Sequence, residues 1–295
     1  MKETRSMMDK KRLQVAVVGP GRLGQACALA LLDHPDLMLA GLVHHGDKAS
    51  SLAGRLRQAP RVAHIRDLPP VDLALVCVPP DVATDVGHDL LQARIPIVEC
   101  ARLDPRAGAA HYEALTGAAR HFRVCAVLGA GWNPGMLPLL TQAFDTLIPH
   151  GHTTTHAHPG LTLHHSTAAA ACAEVEDALE GEVRAPGGAL QRYVYVKLAP
   201  AADLTHVRAW LEADPLYAGE STQVFEMESL DDLAAPVGQG LVIERRASGT
   251  SGRHTGLVLD ARFDEADFAA RVMLRAAMQI LSLPHGAHLF SLQTL

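Results

Sequence analysis

Residues 13–32 read LQVAVVGPGRLGQACALALL, and this stretch decides the fold. The apolar run 13–18 stops at Gly19, which is the pattern of a short buried strand. Residues 22–33 are rich in helix formers. Between them lies Gly19-x-Gly21-x-x-Gly24, placed after a predicted strand and at the start of a predicted helix. Each glycine has a separate task in that context. Gly19 permits the tight turn, Gly21 lets the backbone approach a pyrophosphate, and Gly24 lets helix and strand pack closely. The helix start supplies free N–H groups and a partial positive charge for phosphate oxygens. Gly19, Gly21, Arg22, Leu23 and Gly24 are therefore expected to bind a dinucleotide.

The same alternation continues outward. Strands are expected at 37–43, 72–80, 95–100 and 123–130, with helices at 81–93 and 106–120. Alternating strands and helices imply a parallel sheet covered on both faces. After residue 150 the pattern changes. Residues 152–167, HTTTHAHPGLTLHHST, alternate like a strand; a helix is expected at 167–181, then strands near 190–198 and 222–228. Residues 240–249 and 253–263 read as a hairpin, followed by a helix at 264–282. The expected fold class is α/β: an N-terminal Rossmann-type doubly wound parallel sheet plus a second α+β domain with a mixed or antiparallel sheet. The dinucleotide-binding domain is expected at 1–130, with the segment from about 266 to 295 packing back on it, and a substrate-binding and dimerisation domain at 131–265.

Composition narrows the partners. Of 295 residues, 48% are hydrophobic and 20% charged, an ordinary globular balance. The net charge of −6 comes with no long basic block, which disfavours nucleic acid. No apolar run approaches the ~18–20 residues that span a bilayer. The first residues, MKETRSMMDKKRLQ, lack an apolar core and read as a short leader rather than a signal peptide. The five cysteines are odd in number, spread out and without a CxxC pair, which suggests free thiols in a reducing, cytoplasmic compartment.

The tip of the second strand is where NAD and NADP are told apart. An acid there holds a ribose hydroxyl, whereas a cationic group accepts a 2′-phosphate. Residues 41–50 read GLVHHGDKAS. His44, His45 and Lys48 favour NADP(H); Asp47 can still serve a ribose, so NAD is not excluded. Val78, Pro79 and Pro80, at the third strand exit, are expected to wall the nicotinamide region. His150, His152, His156 and His158 share one parity, and an unbroken strand puts them on one face. Alternating histidines can bind zinc or nickel. No cysteine or evident carboxylate accompanies them, and no metal is expected there; a solvent- or interface-facing strand is the simpler reading.

Residues 130–136, AGWNPGM, follow the strand at 123–130. With this motif the chain resembles the meso-diaminopimelate dehydrogenases, which carry G-W-D-P-G-M at that place. In order along the chain, HPGLTLHHS (158–166), LQRYVYV (190–196) and GRHTGLVLDARFDEADF (252–268) resemble further segments of that family. The resemblance covers nearly the whole chain. It implies a cytoplasmic, homodimeric NADP-dependent oxidoreductase. It also implies reversible oxidative deamination of an amino acid to a keto acid.

Carried over residue by residue, the resemblance assigns Trp132 and Asn133 to the reacting centre. It assigns Gly135, Met136, Leu163, His164, Thr167, Arg192, His254 and Thr255 to substrate binding. Trp132 reads as an apolar wall or as a core side chain. Arg192 suits a substrate carboxylate, because a guanidinium matches its fork geometry; a strand-edge surface arginine is the other reading. His254 is a distal-substrate contact or a structural histidine. His165 and Ser166 match an H-S pair and suit packing, dimer or substrate contacts.

The departures have a direction. Asn133 stands where the family has an acid, Leu163 and His164 stand for glutamine and glycine, and Thr167 for an acid. An amide hydrogen-bonds an amine but cannot neutralise an ammonium or take its proton. An altered substrate preference follows. Two other readings remain: a non-catalytic NADP-binding sensor or degenerate paralogue, and an imine reductase of related architecture.

Overall fold

The computed structural model describes residues 12–44, 54–158, 160–161, 163–184, 190–219, 221–230, 239–248 and 255–291. The first elements in chain order are β1 (Leu13–Val18), α1 (Arg22–Leu32), β2 (Leu37–Val43), β3 (Arg61–Val62) and β4 (Leu73–Val76). They continue with α2 (Pro80–Gln92), β5 (Ile97–Glu99), α3 (Pro105–Phe122), β6 (Cys125–Leu128) and α4 (Met136–Leu147). Then come β7 (Gly151–His158), β8 (Gly160–Leu161), α5 (Leu163–Ala171), β9 (Val175–Arg184), β10 (Leu190–Leu198), α6 (Leu204–Ala213) and β11 (Ser221–Glu226). The last are β12 (Gln239–Ala247), β13 (Gly256–Phe263), α7 (Glu265–Ile280) and β14 (Gly286–Leu289).

The chain divides into two compact units. The first holds residues 1–101, 110–130 and 270–295; the second holds 102–109 and 131–269. In the first, the described strands form one seven-stranded sheet in the order β14-β6-β5-β4-β1-β2-β3. Every pairing in it is parallel. Parallel sheets are covered on both faces, so their strands are apolar throughout rather than alternating. Every residue of β4, β5 and β6 is accordingly buried. Ala16, Val18, Val76, Leu91, Ile97, Leu115 and Leu128 belong to one continuous core.

In the second unit, β7, β12 and β13 make an antiparallel three-stranded sheet. β8, β9, β10 and β11 make a mixed four-stranded sheet, parallel only between β10 and β11. Ala168 and Ala169 of α5 and Val207 and Leu211 of α6 pack with Val194 and Val196 of β10. Asp203 caps α6 by accepting the Thr205 N–H, and that bond holds its carboxyl below the usual carboxylate range. The fold class is the expected one: a Rossmann-type parallel sheet with helices, and a separate mixed and antiparallel assembly. Among the described residues, no helix is long and apolar enough to cross a membrane.

The elements of the first 130 residues fall within a few residues of their expected places, except the two-residue β3 and its flanking turns. The second half holds two surprises. The expected helix at 167–181 is instead α5, ending at Ala171, followed by the strand β9. Residues 175–184, VEDALEGEVR, carry helix-forming residues, but β9 pairs with β10 along its length and with β8 on its other edge. Sheet pairing and burial override the local preference. Helix α4 has no counterpart among the expected elements. Its Met136, Leu137, Leu140 and Phe144 pack on Leu241 and Ile243 of β12.

The glycine spacing has a steric cause. A Cβ on Gly24 would lie 1.9 Å from the carbonyl oxygen of Gly19, a backbone atom that has no room to yield. A Cβ on Gly21 would meet nothing within 4 Å. Gly24→Ala is therefore expected to lower stability by about 3 kcal/mol or more. Gly21→Ala is expected to cost within about 1 kcal/mol. Urea denaturation of both variants checks this, and equal midpoints would contradict the close packing.

Candidate functional site

Ligands of open parallel sheets bind beyond the carboxyl ends of the strands. At the β1 exit, Gly19 adopts φ +92°, and a Cβ there would lie 2.6 Å from the carbonyl oxygen of Cys77. Gly21 is the N-cap of α1 and offers no side chain to its first turn. No N-cap side chain occupies the first-turn N–H groups, and they stand beside an open glycine. That is the donor set and the space a pyrophosphate needs. Arg22 is exposed and Leu23 half-buried.

At the β2 exit, the backbone N–H of His44 donates to the carbonyl of Val62 at 3.0 Å. The side-chain Nε2 of His44 is buried without a hydrogen-bond partner among the described residues. A buried imidazole nitrogen so placed fits a ligand that brings its own hydrogen-bonding group. His45, Asp47 and Lys48 lie outside the described residues. At the β4 exit, Val78 and Pro79 are half-buried, Pro79 is the N-cap of α2, and Pro80 is its first residue. Proline suits that first position because its missing N–H has no helical partner to lose. Cys77 and Cys27 bring their sulfurs to 3.8 Å. The hydrogen bond with Cys27 and burial push the Cys77 thiol well above its ordinary value. It stays protonated at neutral pH and is no nucleophile.

Glu99, the last residue of β5, went unread in the sequence. It is 2% exposed. Its carboxylate accepts the N–H of Gly129 at 2.9 Å and the N–H of Ala101 at 2.5 Å, and its carbonyl accepts the N–H of Ala130. One side chain thereby ties together the exits of β5 and β6. His111 of α3 sets Nε2 at 3.5 Å from the Glu99 carboxylate, an electrostatic contact without hydrogen-bond geometry. Its Nδ1 lies 2.8 Å from the hydroxyl of Thr84. The available signal was an acid closing an otherwise apolar strand, IVE.

Residues 131–136 form a closed turn. Gly131 N–H donates to the Pro134 carbonyl, and Met136 N–H donates back to the Gly131 carbonyl. The Asn133–Pro134 peptide is cis, and Gly135 adopts φ +127°. Trp132 is 7% exposed and packs edge-on against Phe263 and Phe268 at 4.6 and 5.2 Å. Asn133 and Met136 are half-buried, and Gly135 is buried.

The remaining candidates lie in the second unit. Leu163 and His164 open α5, and Thr167 is half-buried on it. Ser166 Oγ accepts the Glu180 N–H at 2.8 Å, and Tyr217 donates its hydroxyl to the His165 carbonyl at 2.6 Å. Burial foremost, then the charge of Glu180, pushes the Tyr217 phenol up, so it remains a donor. Arg192 sits on β10, an inner strand, and is 5% exposed. It is therefore not a strand-edge surface arginine. Its Nη1 donates to Glu180 Oε1 at 2.9 Å. Thr255 is exposed, and its carbonyl accepts from Ala247. His254 lies outside the described residues. His152 is exposed on β7, and His150 precedes that strand. Among the described residues, no group of three or more His, Cys, Asp and Glu is arranged to hold a metal.

Comparison with known proteins agrees with these features. Residues 13–99 match the family model described as oxidoreductase family, NAD-binding Rossmann fold. A meso-diaminopimelate D-dehydrogenase of Bacteroides fragilis is 26% identical over 281 residues, 94% of this chain and 92% of that protein. An engineered D-amino acid dehydrogenase bound to NADP+ shares the fold with a TM-score of 0.75 at 19% identity, covering 95% of this chain and 93% of the other. The diaminopimelate dehydrogenase of C. glutamicum, in complex with diaminopimelate, gives a TM-score of 0.70 at 19% identity over 95% and 93% of the two chains.

Glu99→Gln replaces a two-oxygen acceptor with an amide that turns a donor toward one of two backbone N–H groups. A buried donor left unpaired costs about 1–3 kcal/mol. A stability loss in that range is expected for Glu99→Gln, and less than about 1 kcal/mol for the more peripheral Thr84→Val. A wild-type urea midpoint for Glu99→Gln would show that the tie between the strand exits is energetically idle.

Proposed function

As a divergent relative of the meso-diaminopimelate dehydrogenases and an oxidoreductase with an NAD(P)-binding Rossmann fold, this protein, we propose, is an NADP-dependent amino-acid dehydrogenase with altered substrate preference. The observation that carries the proposal is the uncapped glycine cradle at α1 in a chain whose similarity to a meso-diaminopimelate D-dehydrogenase runs over 94% of its length. The first unit binds the dinucleotide, the second binds substrate and dimerises, and the protein works in the cytoplasm.

In this reading, Gly19, Gly21, Arg22, Leu23 and Gly24 hold the pyrophosphate through backbone N–H groups. His44, His45 and Lys48 receive the 2′-phosphate, and the Nε2 of His44, which has no partner among the described residues, supports that assignment. Val78, Pro79 and Pro80 exclude water from the nicotinamide end. The bound cofactor supplies the hydride acceptor and donor. The net change is amino acid, water and NADP+ to 2-oxo acid, ammonia, NADPH and a proton. Asn133 orients the substrate nitrogen by accepting one of its N–H bonds through Oδ1. As an amide it takes no proton, so the amine is bound in its neutral form or gives its proton to solvent. Trp132, packed against Phe263 and Phe268, fixes the loop that presents Asn133.

Titration of nicotinamide fluorescence is expected to give NADPH about tenfold or more tighter binding than NADH, the worth of one charge-assisted phosphate contact. Reductive amination with NADPH, ammonia and a panel of 2-oxo acids is expected to consume NADPH. Tight NADPH binding with no turnover across the panel would replace the dehydrogenase with a nucleotide sensor. Asn133→Asp restores a charged acceptor and is expected to raise kcat/KM on meso-diaminopimelate about tenfold from a low wild-type value. Efficient turnover of diaminopimelate by the unaltered protein would remove the basis for an altered preference.

A further inference from the structure

We propose that Cys27, Cys77 and Met273 form a site for one soft cation of the Cu(I) class, held by sulfur alone beside the glycine cradle. The site goes beyond the dehydrogenase reading and does not rest on it.

Three elements of the first unit bring the sulfurs together. Helix α1 carries Cys27, Cys77 directly follows β4, and α7 carries Met273. Cys77 Sγ lies 3.8 Å from Cys27 Sγ, and Cys27 Sγ lies 3.9 Å from Met273 Sδ. The hydrogen bonds run along the same line: the Cys77 thiol donates to Cys27, and the Cys27 thiol donates to Met273. Cys125 behaves differently and donates to the Pro284 carbonyl. Here sulfur meets sulfur.

The spacing suits a metal. A thiolate binds a closed-shell transition-metal ion at about 2.3 Å, and three sulfurs at that radius in a trigonal plane stand about 4 Å apart. Both measured separations already have that length, so an ion enters with little movement of the chain. The donor set then selects the ion. Thiolate and thioether together are soft ligands and favour Cu(I). A structural zinc takes four ligands from Cys, His and carboxylates. Among the described residues, no group of three or more His, Cys, Asp and Glu could supply them.

Access and charge fit as well. Cys27 and Met273 are fully buried, which keeps water out of the coordination shell. Cys77 is only half-buried and is the point of entry, at the strand exit whose carbonyl walls Gly19. Its thiol is held protonated at neutral pH by the hydrogen bond with Cys27 and by burial. A metal binds the thiolate, so each thiol that becomes a ligand gives one proton to solvent. The thioether contributes a lone pair, and no electron changes hands. Binding is therefore tighter at higher pH. A bound ion ties α1, which opens at the cradle, to the β4 exit and to α7.

The test titrates the reduced, full-length protein with Cu(I) under argon against the chelator bicinchoninate. The wild type is expected to take one Cu(I) tightly per chain and to melt at a higher temperature with it bound. X-ray absorption is expected to show three sulfurs at about 2.3 Å from copper. Cys77→Ser and Cys27→Ser are each expected to weaken binding about 100-fold or more, one ligand's share of a structural metal's binding energy. Met273→Leu conserves volume and both thiols, and is expected to weaken it about tenfold. Cys172→Ala, in the second unit, is expected to leave it unchanged. Circular dichroism reports the fold of each variant; should Cys27→Ser fail to fold, Cys77→Ser at the half-buried end and Met273→Leu decide. Absence of Cu(I) uptake by the folded wild type overturns the proposal, as does a folded Cys77→Ser protein with undiminished affinity. A coordination shell of nitrogen or oxygen overturns it too and leaves the three sulfurs as core packing.

Discussion

Helix α1 approaches β1 so closely at Gly24 that a methyl group would overlap the carbonyl oxygen of Gly19. That contact sets the direction in which α1 leaves the sheet, and so where its uncapped N–H groups point. Gly19 is held from the other side by the Cys77 carbonyl. The turn is pinned between two strands and their helices, with backbone atoms as the walls. Backbone walls cannot change rotamer, which makes the cradle rigid before any ligand arrives. Preorganised donors of that kind need no reordering when an anion binds.

Two buried glutamates do related work in the two units. Glu99 spends its carboxylate on backbone N–H groups at the ends of β5 and β6. Glu180 spends its own on Arg192. A buried carboxylate is costly unless it is paired or hydrogen-bonded, and each of these is satisfied by groups of its own unit. The half-buried amide of Asn133 adds a third polar group in this class, one that carries no charge.

The parallel sheet was legible from sequence because its strands are continuous apolar runs bounded by glycine and proline, and its helices have a clean apolar face. The four-stranded sheet was less so. Residues 175–184 contain Glu, Ala and Leu in proportions that suit a helix, and only the partners β8 and β10 make them a strand. Helix α4 is not legible in the sequence because Pro138 interrupts the helical pattern near its start, where a proline is tolerated. Among site residues, the glycines were legible through spacing. Arg192 is legible by its chemistry, but its partner is not, since Glu180 lies twelve residues away on the neighbouring strand.

The residues alone determined the glycine turn, the alternation that makes a parallel sheet, and the replacement of an acid by Asn133, because each is a property of neighbours along the chain. Tertiary structure decided what each charged group is free to do. Whether an arginine stands against a buried acid, as Arg192 does against Glu180, depends on what the fold brings within 3 Å of it. Register between strands sets that distance, and register is established by burial over the whole sheet rather than by any local motif.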